Sequence, residues 1–268
     1  MDGSTSSAFD PGTFRLGRVL VDPLSGLRLG SVPYLNAAPL VHGLPAVRTA
    51  VPSRLAGWLE DGTCDLAAAL SLGAVLYRPD WRVLPSCGVA SDGPVRTVMI
   101  LHEGSLESQR GLAFDPASRT SNLLARWILK RVSGTDPWIG PEAKARVLIG
   151  DAAFAHDPSE GSDMGETWKA LTGLPFVFAG WVAGGALARD GARLREIDAF
   201  LAERTRDDPV RLEEIALSQT AVASPVARVY LTDNIHHNLD ARFRSGADRF
   251  AAELAGLGEG TGAIPWAC

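Results

Sequence analysis

The sequence predicts an α/β protein with a mainly parallel sheet and two lobes. From residue 27 to about 180, short apolar runs alternate with helical patterns, which puts helices on the faces of a sheet. Two longer strands stand apart, VRTVMIL (95–101) and FVFAGWV (176–182). Each follows a turn signal, Asp92-Gly93-Pro94 and Gly173-Leu174-Pro175. Such a pair suits a chain that leaves one lobe for a second and then returns. The expected division is 27–93 with 183–268 for one lobe and 94–182 for the other, after an N-terminal leader of residues 1–26.

Each element follows from its local pattern. LRLGSV (27–32), AVRTAV (46–51), DLAAAL (65–70) and WRVLPSC (81–87) are short apolar runs and read as strands. Between them, PSRLAGWLE (52–60) places Leu55, Trp58 and Leu59 at helical spacing. The strand 95–101 comes next, then GLAFD (111–115) and a helix from Ser118 to about Arg131. ARVLIG (145–150) and LPFVFAGWVA (174–183) add further strands. Beyond Asp190 the pattern turns helical. ARLREIDAFLAERTRDD (192–208) sets Leu194, Ile197, Phe200 and Leu201 on one stripe. PVRLEEIALSQTAV, SPVARVYLT and ARFRSGADRFAAELAGLG continue it towards the end.

Composition narrows the function classes. A length of 268 residues, 46% apolar and 21% charged, gives a well-buried core. The net charge of −5 is spread along the chain, with no basic run to track a phosphate backbone, which argues against nucleic acid. No segment reaches the roughly 18 to 20 apolar residues that span a bilayer, and the first 26 residues lack the apolar run of a secretion signal. Cys64, Cys87 and Cys268 are odd in number and lack ligand spacing, which favours free thiols in a reducing, cytoplasmic compartment. The five histidines show no metal-binding spacing. No P-loop, dinucleotide fingerprint or nucleophile elbow is present, so no cofactor is expected.

Candidate binding residues cluster at strand ends and helix starts. SVPYLNAAPL (31–40) leaves the first strand through two prolines, and its Asn36 either caps the next helix or faces a ligand. Ser118, Thr120 and Ser121 open a helix after GLAFDPA; hydroxyls there cap the helix or bind a carboxylate or phosphate. Asp151 either caps its own turn or accepts at a pocket edge. Ser71 lies at the carboxyl end of DLAAAL, where open α/β sheets bind ligands. Thr97 lies in the strand 95–101, on one face with Val95 and Met99 by alternation.

Five stretches in order carry a family resemblance: Gly30-Ser31 with Tyr34-Leu35-Asn36 and Pro39-Leu40; Asp92-Gly93-Pro94-Val95; Ser118-Arg119-Thr120-Ser121; Leu148-Ile149-Gly150-Asp151-Ala152-Ala153; and Trp168-Lys169 through TGLPFVFA (172–179). Together they resemble the chorismate dehydratases of the futalosine route to menaquinone. The resemblance implies a type II periplasmic-binding-protein fold, two α/β lobes joined by crossing strands, used by a cytoplasmic enzyme whose substrate is chorismate. It implies function for an asparagine in the first strand-to-helix turn and a serine on the crossing strand, matched here by Asn36 and Thr97. Threonine in place of serine is a departure that keeps the hydroxyl. Ser71, Ser118, Thr120, Ser121 and Asp151 are then the expected substrate grips. The expected chemistry is loss of water from chorismate, with the substrate's own enolpyruvyl carboxylate taking the proton. The rival readings are a cytoplasmic flytrap that binds small carboxylates without chemistry, and the pathway's dihydroxynaphthoate synthase, whose catalytic histidine has no clear match.

Overall fold

The computed structural model describes residues 22–206, 208–219 and 222–267. Its first sheet contains β1 (Leu29–Ser31), β2 (Arg48–Thr49), β3 (Leu66–Ser71) and β4 (Arg82–Ser91). The second contains β5 (Val98–Leu101), β6 (Gly111–Ala113), β7 (Trp138–Ile139), β8 (Ala145–Ile149) and β9 (Gly161–Asp163). The chain then rejoins the first sheet with β10 (Phe176–Ala183) and β11 (His236–Asn238). Strand orders are β11-β4-β10-β3-β1-β2 and β7-β6-β8-β5-β9. The helices are α1 (Ala38–Val41), α2 (Pro52–Glu60), α3 (Leu72–Val75), α4 (Arg119–Ser133), α5 (Met164–Thr172), α6 (Gly191–Arg204), α7 (Pro209–Ser218), α8 (Ser224–Val229) and α9 (Ala241–Ala255).

The sheets are mixed rather than mainly parallel. β10 enters the first sheet on its return and runs antiparallel to both β3 and β4. In the second sheet β5 is antiparallel to β8 and β9. The chain passes between sheets at residues 92–97, ahead of β5, and through α5 and residues 173–175, ahead of β10. The expected second lobe, drawn to residue 182, therefore includes a strand that belongs to the first sheet. The pattern of a fully buried strand is the same in either sheet, so sequence marks the strand and not its partner.

Burial explains why these strands hold the centre. All six residues of β3 and all eight of β10 are buried, as a strand covered on both faces requires. Around β10, Trp168 of α5, Phe176 and Phe250 of α9 meet edge to face, with centroids 4.9 to 5.9 Å apart. Trp127 of α4 joins them at 4.9 Å, so elements adjoining both sheets share one aromatic cluster.

Several expected elements differ in extent. Of AVRTAV only Arg48 and Thr49 pair, exposed at the sheet edge. On α6 the expected stripe buries Leu194, Ile197 and Leu201, with Phe200 half-buried. The run SPVARVYLT is not one helix, because α8 stops at Val229 and residues Tyr230–Asn234 form a π-turn. Residues His236–Asn238, inside the region expected to be helical, pair with β4 as a strand. α5 and β9 had no counterpart among the expected elements. Of the expected leader, residues 1–21 lie outside the described residues. Residues 22–26 pack on the body: Leu24 is buried, and Arg193 Nη2 donates to the Ser25 carbonyl at 2.8 Å. Among the described residues no helix is long and apolar enough to cross a membrane.

Candidate active site between the two sheets

A cavity of about 60 Å³ lies between elements of the two sheets. From the first sheet's side come Tyr34, Asn36, Ser71 and the apolar Val32, Val89 and Phe178; from the second's come Val98, Ser118, Ser121, Ile149 and Gly150.

Asn36 enters this wall from a short 3-10 turn, Leu35–Ala37, that follows β1. The turn and α1 are bounded by Tyr34 and Ala37, with no side-chain cap at either. The capping role is thus unfilled, and Asn36, half-buried, lines the cavity. It is fixed from behind. His237, wholly buried on β11, has Nε2 2.9 Å from the Asn36 carbonyl oxygen. A carbonyl only accepts, so Nε2 carries the proton and donates.

The facing wall is the start of α4. Ser118 caps it, accepting from the Ser121 amide at 3.2 Å while its hydroxyl donates to Ser121 Oγ at 2.9 Å. Ser118 and Ser121 both line the cavity. Thr120 points elsewhere: its Oγ1 lies 2.5 Å from Ser71 Oγ and accepts from the Gly73 amide at 2.8 Å. The Thr120 amide in turn donates to Ser71 Oγ at 3.0 Å. The expected open amides of this helix start are therefore already engaged by Ser71 and Ser118. Thr120 is an inter-sheet clasp, while Ser71, Ser118 and Ser121 offer their hydroxyls to the cavity. Gly73 makes the clasp possible, since a Cβ there would meet the Thr120 backbone at 2.8 Å.

Asp151 provides a second contact between the two sides. It does not cap its own turn; its carboxylate accepts from the Leu35 amide at 3.2 and 3.3 Å. It thus satisfies a donor one residue before Asn36. Burial pushes its carboxyl above the ordinary aspartate value. Nearby, the ring of Tyr34 lies against Gly150.

Thr97 is fully buried, and its Oγ1 lies 2.7 Å from the hydroxyl of Tyr230. It is not among the residues lining the cavity. Strand alternation fails just before it, because Arg96 adopts φ +67° and the Thr97 amide bonds the Val95 carbonyl at 2.8 Å. That is a γ-turn of the rare positive-φ kind. It is held by Asp163, which accepts from the Val95 amide at 3.0 Å and the Arg96 amide at 2.6 Å. Ala69, two residues before Ser71, also has a positive φ, of 53°. Left-handed non-glycine residues cost of order 1 to 2 kcal/mol and gather where surrounding structure fixes a functional geometry.

The chemistry available is hydrogen bonding in an apolar slot. The cavity wall carries hydroxyls, one amide and apolar groups; its titratable side chain is Tyr34, whose pKa is raised by burial and by the nearby carboxylates Asp115 and Asp151. Among the described residues no group of three or more His, Cys, Asp or Glu side chains could hold a metal ion. The sequence reading missed Tyr230 and His237. A tyrosine at the end of an amphipathic run and an adjacent histidine pair carry no local signal of an active-site role.

Two lobes around a largely apolar cleft with a few hydroxyls and one amide define a class, the periplasmic-binding-protein fold. A solved member with the same architecture is the periplasmic aliphatic sulphonate binding protein of Escherichia coli, 16% identical, with a TM-score of 0.55 over 88% of this chain and 94% of that one. Within that fold the chain belongs to the menaquinone biosynthesis family, whose pattern matches residues 27–255. Similar curated proteins are the chorismate dehydratase of Thermus thermophilus, 27% identical over 84% of this chain and 94% of that protein, and the chorismate dehydratase of Campylobacter jejuni, also 27% identical, over 84% and 92%.

Proposed function

We propose that this protein is a chorismate dehydratase, a hydro-lyase that converts chorismate to 3-[(1-carboxyvinyl)oxy]benzoate and water in menaquinone biosynthesis. The observation that carries the mechanism is the cavity wall: hydroxyls, an amide and apolar groups, with no Asp, Glu, His or Lys lining it among the described residues.

Chorismate bears a ring carboxylate, an enolpyruvyl ether on one ring carbon and a hydroxyl on the next. The hydrogen on the ether carbon is acidified through the neighbouring double bond by the ring carboxylate. The enolpyruvyl carboxylate of the substrate takes this proton and leaves a delocalised carbanion. The carbon–oxygen bond of the adjacent hydroxyl then breaks, the ring becomes aromatic, and the proton leaves with the oxygen as water. The protein holds the enolpyruvyl arm over the ring, excludes bulk water and donates hydrogen bonds to developing charge. Orientation of this kind supplies roughly 7 to 11 kcal/mol in well-placed systems, and a donor to a developing oxyanion about 3 kcal/mol.

In this reading Asn36 donates to the departing hydroxyl or to the carboxylate that takes the proton. Ser71, Ser118 and Ser121 grip carboxylates, exchanging their present partners for the ligand. Asp151 acts through Leu35 by fixing the turn that carries Asn36. The lobe division is part of the same proposal, with the first passage at 92–97 and the second before Phe176. A cytoplasmic setting agrees with free, buried Cys64 and Cys87.

The deciding experiment is incubation of the purified protein with chorismate, following loss of the diene absorbance and the mass of the product. Conversion to a species lighter by one water is expected. Tight binding without conversion would instead identify a carboxylate-binding flytrap that performs no chemistry.

A further inference from the structure

The 3-10 turn Gly150–Ala155, which follows β8, borders two separate openings. Its Gly150 lines the substrate cavity, and its Phe154 lines a second groove of about 420 Å³. That groove is also lined by Arg96, from the passage between the sheets, and by Val226, Val229, Tyr230 and Asn234, from α8 and the π-turn. Direct bonds hold these elements together. Asn234 Nδ2 donates to the Pro94 carbonyl at 3.1 Å, and the hydroxyls of Thr97 and Tyr230 lie 2.7 Å apart. The ring of Tyr230 meets Phe154 edge to face, with centroids 5.1 Å apart. The walls are apolar and partly wet, with Val226 46% and Val229 49% exposed.

Arg96 brings the one charge to this lining. Its Nη2 donates to the His156 carbonyl at 3.0 Å, whereas its Nη1 is buried and has no partner. Asp157, which is exposed, feels the guanidinium charge, and among the described residues Arg96 forms no ion pair. A buried charged donor without an acceptor costs free energy. So does the φ of +67° at this residue. Neither cost serves the substrate cavity, which Arg96 does not line.

We propose that the groove is a second ligand site, separate from the substrate cavity, which binds a small carboxylate with an apolar body. The carboxylate accepts from Arg96 and supplies the acceptor that Nη1 lacks. The body lies along Val226 and Val229, against the rings of Phe154 and Tyr230. An inorganic anion would meet the charge and leave the walls wet, and an uncharged hydrocarbon would do the reverse. A molecule with both parts satisfies both, and the volume is in the range of sites for small organic ligands. Since Phe154 comes from the second sheet's side and α8 from the first's, such a ligand favours the arrangement in which the two are joined.

The whole chain is titrated with 4-phenylbutyrate as the probe, by calorimetry and by NMR of the valine methyl groups. One-site saturation is expected, with shifts at Val226 and Val229. Arg96→Gln should weaken binding by about 10- to 100-fold, the usual effect of losing a hydrogen bond to a charged group. Inorganic phosphate and the uncharged 4-phenylbutanol should each bind at least about 10-fold more weakly than the probe. Val229→Glu places a carboxylate in the groove at an exposed position and should abolish saturation, which keeps the test independent of how well Arg96→Gln folds. Asn36→Ala, altered in the substrate cavity, should bind the probe as wild type does. No saturable binding by wild type would overturn the site. Saturation lost in Asn36→Ala but kept in Val229→Glu would place the probe in the substrate cavity and overturn it equally. Equal affinity for 4-phenylbutanol would overturn the role of Arg96. None of these readouts depends on turnover of chorismate, so the dehydratase reading and this site stand or fall separately.

Discussion

Asn36 meets the cavity with its side chain while its backbone carbonyl is held by the C-terminal part of the chain. The His237 bond to its carbonyl spans 201 positions of sequence. Replacement by alanine leaves that main-chain bond intact and removes only the amide. Asn36→Ala is therefore expected to fold with a nearly unchanged melting temperature while kcat on chorismate falls by about 10²- to 10³-fold, the usual effect of losing one oxyanion donor. Turnover at the wild-type rate would remove Asn36 from the mechanism. Asn36 itself is legible in the sequence, because an amide between prolines at a strand end is unusual and downstream motifs give it a context. The buried groups around the site are not legible. Tyr230 reads as one more apolar position on a helix, and His237 as half of a histidine pair with no metal spacing. Only the tertiary fold brings His237 to the Asn36 carbonyl and the Tyr230 hydroxyl to Thr97.

Among the elements, the passage from β4 to β5 shows where pattern reading stops. A strand period of two carries Val95, Thr97 and Met99 to one face, yet a single left-handed residue at Arg96 breaks the period. The sequence leaves no mark of that break, since arginine has no preference for positive φ. Its cause lies 67 positions away in Asp163, which also caps α5 by accepting from the Glu166 amide at 3.0 Å. Asp163→Ala strands three backbone donors and is expected to lower unfolding free energy by about 3 kcal/mol, measurable by urea titration. The carboxyl also sets a pH dependence. Burial raises its pKa above the ordinary 3.8 despite the amides it accepts from. Between 3.8 and that raised value the folded chain holds a proton that the unfolded chain has released. Stability from this group is therefore full below 3.8, falls as pH rises through the window, and is level above it. The difference in unfolding free energy between wild type and Asp163→Asn should show that slope; a difference independent of pH would refute it. Long apolar strands and the capped helix α4 were plain from pattern. β11, three residues long, and the π-turn before it were not, because neither carries enough residues to establish a period.

For the molecule as a whole, the two sides meet through polar contacts set around the cavity: Ser71 with Thr120, and Leu35 with Asp151. Both pairs join segments far apart in sequence, and both adjoin residues of the site. Removing one contact should favour the separated arrangement. Asp151→Ala is expected to raise KM for chorismate and to enlarge the radius of gyration measured by solution scattering in the absence of ligand. An unchanged scattering profile and KM would show the contact to be incidental. The missing side chain at Gly73 adds a different kind of control. A methyl group there would stand 2.8 Å from the backbone of Thr120, a distance that neither main chain can absorb by a rotamer change. Gly73→Ala would therefore act as a wedge that keeps the cleft ajar without replacing any side chain that lines the cavity. Such a protein should exchange product with solvent freely and hold it poorly, which makes position 73 the natural place to separate the release step from the elimination itself.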